Sequence, residues 1–133
     1  MTGSGRRSFV ETIVYMDHSD IRDGKVDELR AGVSGLVAFV KTHEPQLISY
    51  GFYIDDEADR MTVVAVHPDS ASLEFHMNVA GREFRKLAHL ISLRSIEVYG
   101  RISDTALQVL EQKAAMLGDS GRVVVREPYA GFG

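Results

Sequence analysis

The segment from Gln46 to Val66 limits the possible folds more than any other part of this sequence. Two apolar runs, Gln46–Asp55 and Met61–Val66, flank the polar turn Asp56-Glu57-Ala58-Asp59-Arg60, a pattern that predicts a β-hairpin. An antiparallel sheet with one wet face alternates apolar and polar residues along each strand. Here the alternation is weak. Ile48, Tyr50, Phe52 and Ile54 share one face, but Leu47 and Tyr53 lie on the other, and Met61 through Val66 is nearly continuous. A sheet that is apolar on both faces needs cover on both.

The flanking sequence supplies one cover. Phe9–Met16, rich in β-branched and aromatic residues, reads as a first strand, and Asp17–Gly24 as a polar loop ending in the helix-entry turn Asp23-Gly24. Val26, Leu29, Val33, Leu36, Val37 and Val40 then recur at helical spacing, with Asp27 and Glu28 in the first turn where the helix dipole favours negative charge. Pro45 closes this helix, because a proline pushes the residue before it out of helical geometry. After the hairpin, Pro68-Asp69 gives a stop and an N-cap for a second helix from about Ser70 to Ile91. Its inward stripe is Leu73, His76, Met77, Ala80, Phe84, Leu87 and Ile91, with a possible bend at Gly81. Leu93–Ile102 reads as a fourth strand. A third helix capped by Ser103 or Asp104 follows, with Leu107, Leu110, Ala114 and Leu117 inward and Gly118 at its end, and then a short strand, Gly121–Arg126.

The order is β-α-β-β-α-β with an α-β extension, and its first six elements match the ferredoxin-like arrangement of four antiparallel strands under two helices. Residues 1–7 read as a flexible leader, 8–102 as the ferredoxin-like domain and 103–133 as its C-terminal extension. The least costly cover for the second sheet face is another copy of the same sheet. A homodimer joined sheet to sheet is therefore expected. The extension either caps the resulting barrel or extends the dimer contact. Val123, Val124 and Val125 form a strand in need of an edge, which favours the contact.

Composition removes several function classes. Fifteen basic against nineteen acidic residues give a net charge of −4, without the clustered basic excess that nucleic-acid binding requires. The absence of cysteine excludes disulfides, thiolate catalysis and thiolate metal sites, and fits a reducing compartment. No run approaches membrane-spanning length and the start lacks a signal-peptide core, so the expected location is cytoplasmic, with no membrane partner. The five histidines show none of the close pairings that put two metal ligands on one helix face, and no metal is expected.

Two local signatures carry a family resemblance. Glu44-Pro45 closes the first helix before the strand Leu47-Ile48-Ser49-Tyr50, and Leu73-Glu74-Phe75-His76-Met77, followed by Phe84, opens the second. Over about Phe9 to Arg101 the chain resembles the dimeric α+β barrel proteins typified by antibiotic-biosynthesis monooxygenases, which commonly carry a Glu-Pro at the first place and an Ala-His-Leu-like triplet at the second. The resemblance implies a pocket between sheet and helices for a small aromatic or quinol-like ligand, and oxygen insertion that in some members needs neither metal nor flavin, so no cofactor is expected. Haem-degrading relatives use an asparagine on strand one, a tryptophan on helix two and a histidine further along. This chain offers Glu11 and Thr12, no tryptophan, and only a loose match at His89, which disfavours haem.

Among individual residues, His76 is the candidate base: an imidazole can take a phenolic or enolic proton, the step that prepares a hydroquinone or anthrone for oxygen. A buried histidine held by backbone or a tyrosine is the competing reading. Tyr50 and Tyr15 are candidates for lining the substrate site, ahead of Tyr53 and Tyr99, although for any one strand tyrosine core or interface packing is the favoured reading. Arg85 belongs to the solvated face of helix two or guards a pocket mouth. Glu11 and Glu97 are expected to pair with Arg94 or Arg101, and His67 to serve a turn. Two functions follow: a cofactor-independent monooxygenase-like enzyme for a small aromatic or quinol, or a non-catalytic dimeric module that binds a small ligand. The missing tryptophan and the apparent lack of an acid–base cluster favour the second.

Overall fold

A computed structural model describes residues 8–118 and 122–133; the expected leader at 1–7 lies outside them. The elements run β1 (Ile13–Ile21), α1 (Val26–His43), β2 (Ser49–Asp55), β3 (Arg60–His67), α2 (Ser70–Arg85), a 3-10 turn (Ala88–Leu90), β4 (Ile91–Tyr99), α3 (Asp104–Leu117) and β5 (Arg122–Arg126). They form one sheet in the order β2-β3-β1-β4-β5. The first four strands pair antiparallel, as the ferredoxin-like pattern requires, and β5 joins β4 in parallel after the α3 crossover.

The hairpin forms as its residues dictate. Tyr50 faces Ala65 and Phe52 faces Val63 across the β2–β3 ladder. In the turn the Asp55 carboxylate accepts from the Glu57 and Ala58 backbone N–H groups, and Asp59 takes the left-handed conformation at φ 51° that short polar residues tolerate. The caps agree with the sequence as well. Asp69 accepts from Ser72 N at 2.9 Å, Ser103 accepts from Ala106 N at 3.0 Å, and Gly24 turns into α1 at φ 73°.

Two boundaries and one helix face differ from expectation. β1 does not stop at Met16 but runs to Ile21. Asp17 and Ser19 point inward while His18 and Asp20 point to the far face, so both sides of the strand turn polar and the apolar alternation vanishes although the ladder continues. α2 ends at Arg85 rather than Ile91, because Leu87 and Leu90 stay buried through a 3-10 turn that lets Ile91 start β4. Gly81 lies within the unbroken span of α2. On α3 the inward stripe is Ala106, Leu110, Ala114 and Leu117, with Ala106 in the place expected of Leu107.

The third helix settles as a cover over the sheet. Its start is fixed to α2: Ser103 donates to Glu74 at 2.8 Å, and Ser103 N donates to the Ser70 hydroxyl at 2.9 Å. Its end is pressed on β4, since a Cβ on Gly118 would lie 2.1 Å from the Leu93 carbonyl oxygen. β5 finds its edge within the same chain, with Ile96 beside Val123 and Val98 beside Val125.

On the face away from the helices, Val14, Met16, Val64 and Val66 are half-buried, and Tyr53 and Tyr99 are exposed. His18 bridges Thr62 at 3.0 Å and Glu97 at 3.3 Å at one end of that face. The ion pairs expected for the strand glutamates are thus rearranged: Glu97 meets His18, Arg94 meets Asp20, Arg101 meets Glu127, and Glu11 is exposed before β1 begins.

Candidate active site

Between α2, α3 and the sheet lies a cavity of about 250 Å³. β1, β2 and β3 supply Tyr15, Asp17, Tyr50 and Val63; α2 supplies His76, Met77, Ala80, Gly81, Phe84 and Arg85; α3 supplies Val109, Gln112, Lys113, Met116 and Leu117. Most of the wall is apolar, with polar groups gathered at two places, the usual make-up of a small-molecule pocket.

The first polar group is a buried pair. His76 Nδ1 lies 2.9 and 2.8 Å from the two oxygens of Glu44, and both side chains are almost wholly removed from solvent. A carboxylate only accepts, so the pair puts a ring proton on Nδ1, and Nε2 is the ring nitrogen left to exchange a proton, on a side chain that lines the cavity. Tyr50 meets this ring edge-on at 5.1 Å. Burial, then the charges of Asp17 and Glu44, push the Tyr50 phenol well above its usual range, so it stays protonated.

His67 sits behind, its ring 5.5 Å from that of His76 and its Nδ1 2.8 Å from the Ser72 hydroxyl. It is fully buried on the helix face at the end of β3, not placed in a turn. Burial, with the neighbouring charge of His76, lowers its pKa to about 3. It is neutral at any ordinary pH.

The second polar group joins β1 to α3. The Tyr15 hydroxyl donates to Asp17 Oδ2 at 2.5 Å, and Lys113 Nζ donates to that hydroxyl at 2.8 Å and to Asp17 Oδ2 at 3.2 Å. Nζ also lies 4.5 Å from the centre of the Phe84 ring. Burial, then the charge and hydrogen bond of Asp17, raise the Tyr15 pKa far above the phenol value, and its proton is committed to Asp17. The other oxygen, Asp17 Oδ1, is buried with no protein partner.

All four residues singled out from the sequence, His76, Tyr50, Tyr15 and Arg85, line this one cavity, with Arg85 exposed. Tyr53 and Tyr99 lie on the opposite sheet face. Sequence reasoning missed Glu44, Asp17 and Lys113, and with them the acid–base cluster whose absence had favoured a passive binder. Each left a trace. Glu44 is an acid at a helix C-terminus, where the dipole opposes negative charge, so it signals a compensating partner. Lys113 shares the stripe of Leu110, Ala114 and Leu117. Among the described residues no group of three or more His, Asp or Glu is placed to hold a metal, and no helix is long and apolar enough to cross a membrane.

No protein-family model matches the sequence, and no curated protein does. Solved structures do match. MupZ from Pseudomonas fluorescens superposes with a TM-score of 0.71 at 20% identity, over 92% of this chain and 94% of that one. A provisionally assigned antibiotic biosynthesis monooxygenase from Caulobacter crescentus gives a TM-score of 0.55 at 19% identity, over 72% of this chain and 94% of that one. SnoaB, a cofactor-independent oxygenase from Streptomyces nogalater, gives 0.57 at 11% identity, over 70% and 95%. The last two span most of their own length but leave over a quarter of this chain unmatched. The MupZ match leaves too little over to omit α3 and β5, so that likeness reaches into the extension. In its architecture the chain is a ferredoxin-like α+β protein with the fold of the antibiotic-biosynthesis-monooxygenase-like proteins.

Proposed function

We propose that the protein is a cofactor-independent, monooxygenase-like enzyme that removes a proton from a small aromatic or quinol-type substrate in the cavity and lets the resulting anion react with oxygen. The observation that carries this reading is the buried Glu44–His76 pair, whose imidazole lines the cavity while the carboxylate lies behind it. Glu44 fixes the tautomer and stabilises the imidazolium that forms when Nε2 takes a proton, the arrangement by which a carboxylate makes a histidine an effective base. Tyr50 and Tyr15 line the same cavity and offer aromatic surface to a flat ring, and the exposed Arg85 lines it as well. The fold shared with a cofactor-independent oxygenase agrees with this chemistry but does not by itself assign it.

For an anthrone-like substrate the balance is simple. The ring methylene loses its two hydrogens, one oxygen atom of O2 becomes the new carbonyl, and the other leaves with those hydrogens as water. No external reductant is consumed. We also propose that the active form is a homodimer joined through the far sheet face, and that its setting is the cytoplasm.

The test is oxygen uptake with a panel of hydroquinones and anthrones, using wild type, His76→Ala and Glu44→Gln. Uptake that depends on both residues supports the reading. Equal turnover by His76→Ala and wild type would remove the assigned base. A ligand that raises the melting temperature without any product would instead support the non-catalytic binding module.

A further inference from the structure

His67 has no part in the proton transfer proposed above, and a buried imidazole is a poor choice for a residue that only fills space. Its Nε2 is buried without a protein partner, and burial excludes its charged form; an apolar side chain would avoid both penalties. What an apolar side chain cannot do is accept a hydrogen bond at Nδ1, which lies 2.8 Å from the Ser72 hydroxyl.

That bond is one end of a buried run of donors and acceptors. Pro45 and Gln46 form a turn closed by Leu47 N, which donates to the Glu44 carbonyl at 3.2 Å, and the turn folds the Gln46 amide back toward the Glu44 carboxylate. A carboxylate only accepts, so it holds the amide with its NH2 group inward. Gln46 Nε2 lies 3.5 Å from Glu44 Oε1 and 3.3 Å from Ser72 Oγ, and gives one hydrogen to each. With Oγ accepting from Gln46, the Ser72 hydroxyl is left to donate to His67 Nδ1. Only a neutral imidazole accepts there, and His67 is neutral.

We propose that His67, Ser72 and Gln46 are positioning residues that aim the Glu44–His76 pair. Ser72 and His76 lie one turn apart on the buried face of α2. Tying the Ser72 hydroxyl to β3 through His67 therefore sets the rotation of the helix where His76 leaves it. The same hydroxyl is tied through Gln46 to the segment that carries Glu44, so carboxylate and imidazole are referred to one common anchor. The His67 and Tyr50 rings, 5.5 and 5.1 Å from the His76 ring, pack against it as well. The catalytic consequence rests on His76 being the base, as in the reading above; the geometric one does not.

The test follows the Glu44–His76 bond itself, without substrate. Proton NMR of wild type is expected to show a far-downfield imidazole N–H that exchanges slowly with water and is missing in His76→Asn. Ser72→Ala and His67→Leu should each speed that exchange about tenfold, the upper end of what one net hydrogen bond contributes. His67→Asn, whose side-chain oxygen accepts in place of Nδ1, should keep it slow. Asp69→Ala is the control: it removes the cap of the same helix, lowers the melting temperature, and should leave the exchange unchanged. If Ser72→Ala does not fold, Gln46→Leu interrupts the run from its other side and should give the same acceleration. A wild type without the protected proton, no acceleration in the Ser72, His67 and Gln46 variants, or an equal acceleration in Asp69→Ala would overturn the assignment. A protected proton that depends on these residues, in a protein that oxidises nothing, would keep the positioning and remove the chemistry, so the two readings fail separately.

Discussion

Glu44 and His76 are mutually dependent: without His76 the buried Glu44 carboxylate keeps only a long 3.5 Å bond from the Gln46 amide. His76→Ala strands the Glu44 carboxylate, and breaking a buried pair in this way costs about 3–5 kcal/mol. The expected result is a large drop in melting temperature for His76→Ala, with much of the loss recovered in a Glu44→Gln, His76→Asn double variant; a melting temperature equal to wild type would contradict the pairing. For activity, Glu44→Gln should retain the fold and lower turnover by on the order of a hundredfold or more, because a neutral amide no longer stabilises the imidazolium that forms and no longer fixes one tautomer. His67 adds a pH effect of known sign. The unfolded chain protonates it near 6.5 and the folded chain only near 3, so between those values unfolding takes up a proton. Stability from this residue is therefore level above about pH 6.5 and falls as the medium is acidified, by about 2 kcal/mol between pH 7 and pH 5. Denaturant melts of wild type and His67→Gln at those two pH values check it, and parallel pH profiles would refute it.

At the scale of elements, what the sequence makes legible is what a period or a cap encodes. The hairpin, the spacing of Leu29, Val33, Leu36 and Val40, and the caps Asp69 and Ser103 are local signals, and each stands as read. Asp69→Ala should thus cost about 1 kcal/mol in a thermal melt, with no change expected at the cavity. The signals that failed are those in which tertiary contact overrides the local pattern. β1 looks as if it ends at Met16 because Asp17 and Ser19 are polar, yet Asp17 is inward precisely where Lys113 arrives from nearly a hundred residues away. His67 reads as a turn residue from its Pro68 neighbour, but the β3 ladder carries it into the core. His76 and Tyr50 were legible because they sit on apolar faces near a family signature. Glu44 reads from the sequence as the end of a helix and half of the Glu-Pro signature but not as a site residue, since its partner lies thirty-two positions on and no periodicity links them.

At the scale of the whole molecule, the sheet has one face closed by three helices and one face that the single chain leaves open. The open face holds Val14, Met16, Val64 and Val66 at its centre, with Tyr53 and Tyr99 at its sides at 62% and 38% exposure. Charged groups on β1, His18 and Asp20, lie toward one end and are already engaged by Thr62, Glu97, Arg60 and Arg94, so they do not demand water across the patch. An apolar centre with satisfied polar groups at its edge is the make-up of an interface between subunits. The proposed homodimer stacks two such faces about 10 Å apart, the ordinary spacing of packed sheets. Light scattering at micromolar concentration should therefore give about twice the 14.7 kDa chain mass. Val64→Lys, which places a charge at the centre of the face without touching the helix side, should shift the population to single chains. Because the apolar contact is little screened by salt, the dimer should persist at high ionic strength. A 14.7 kDa species for wild type at every concentration tested would show that the open face is tolerated by the lone chain, and would leave the cavity between α2, α3 and the sheet as a complete site within one subunit.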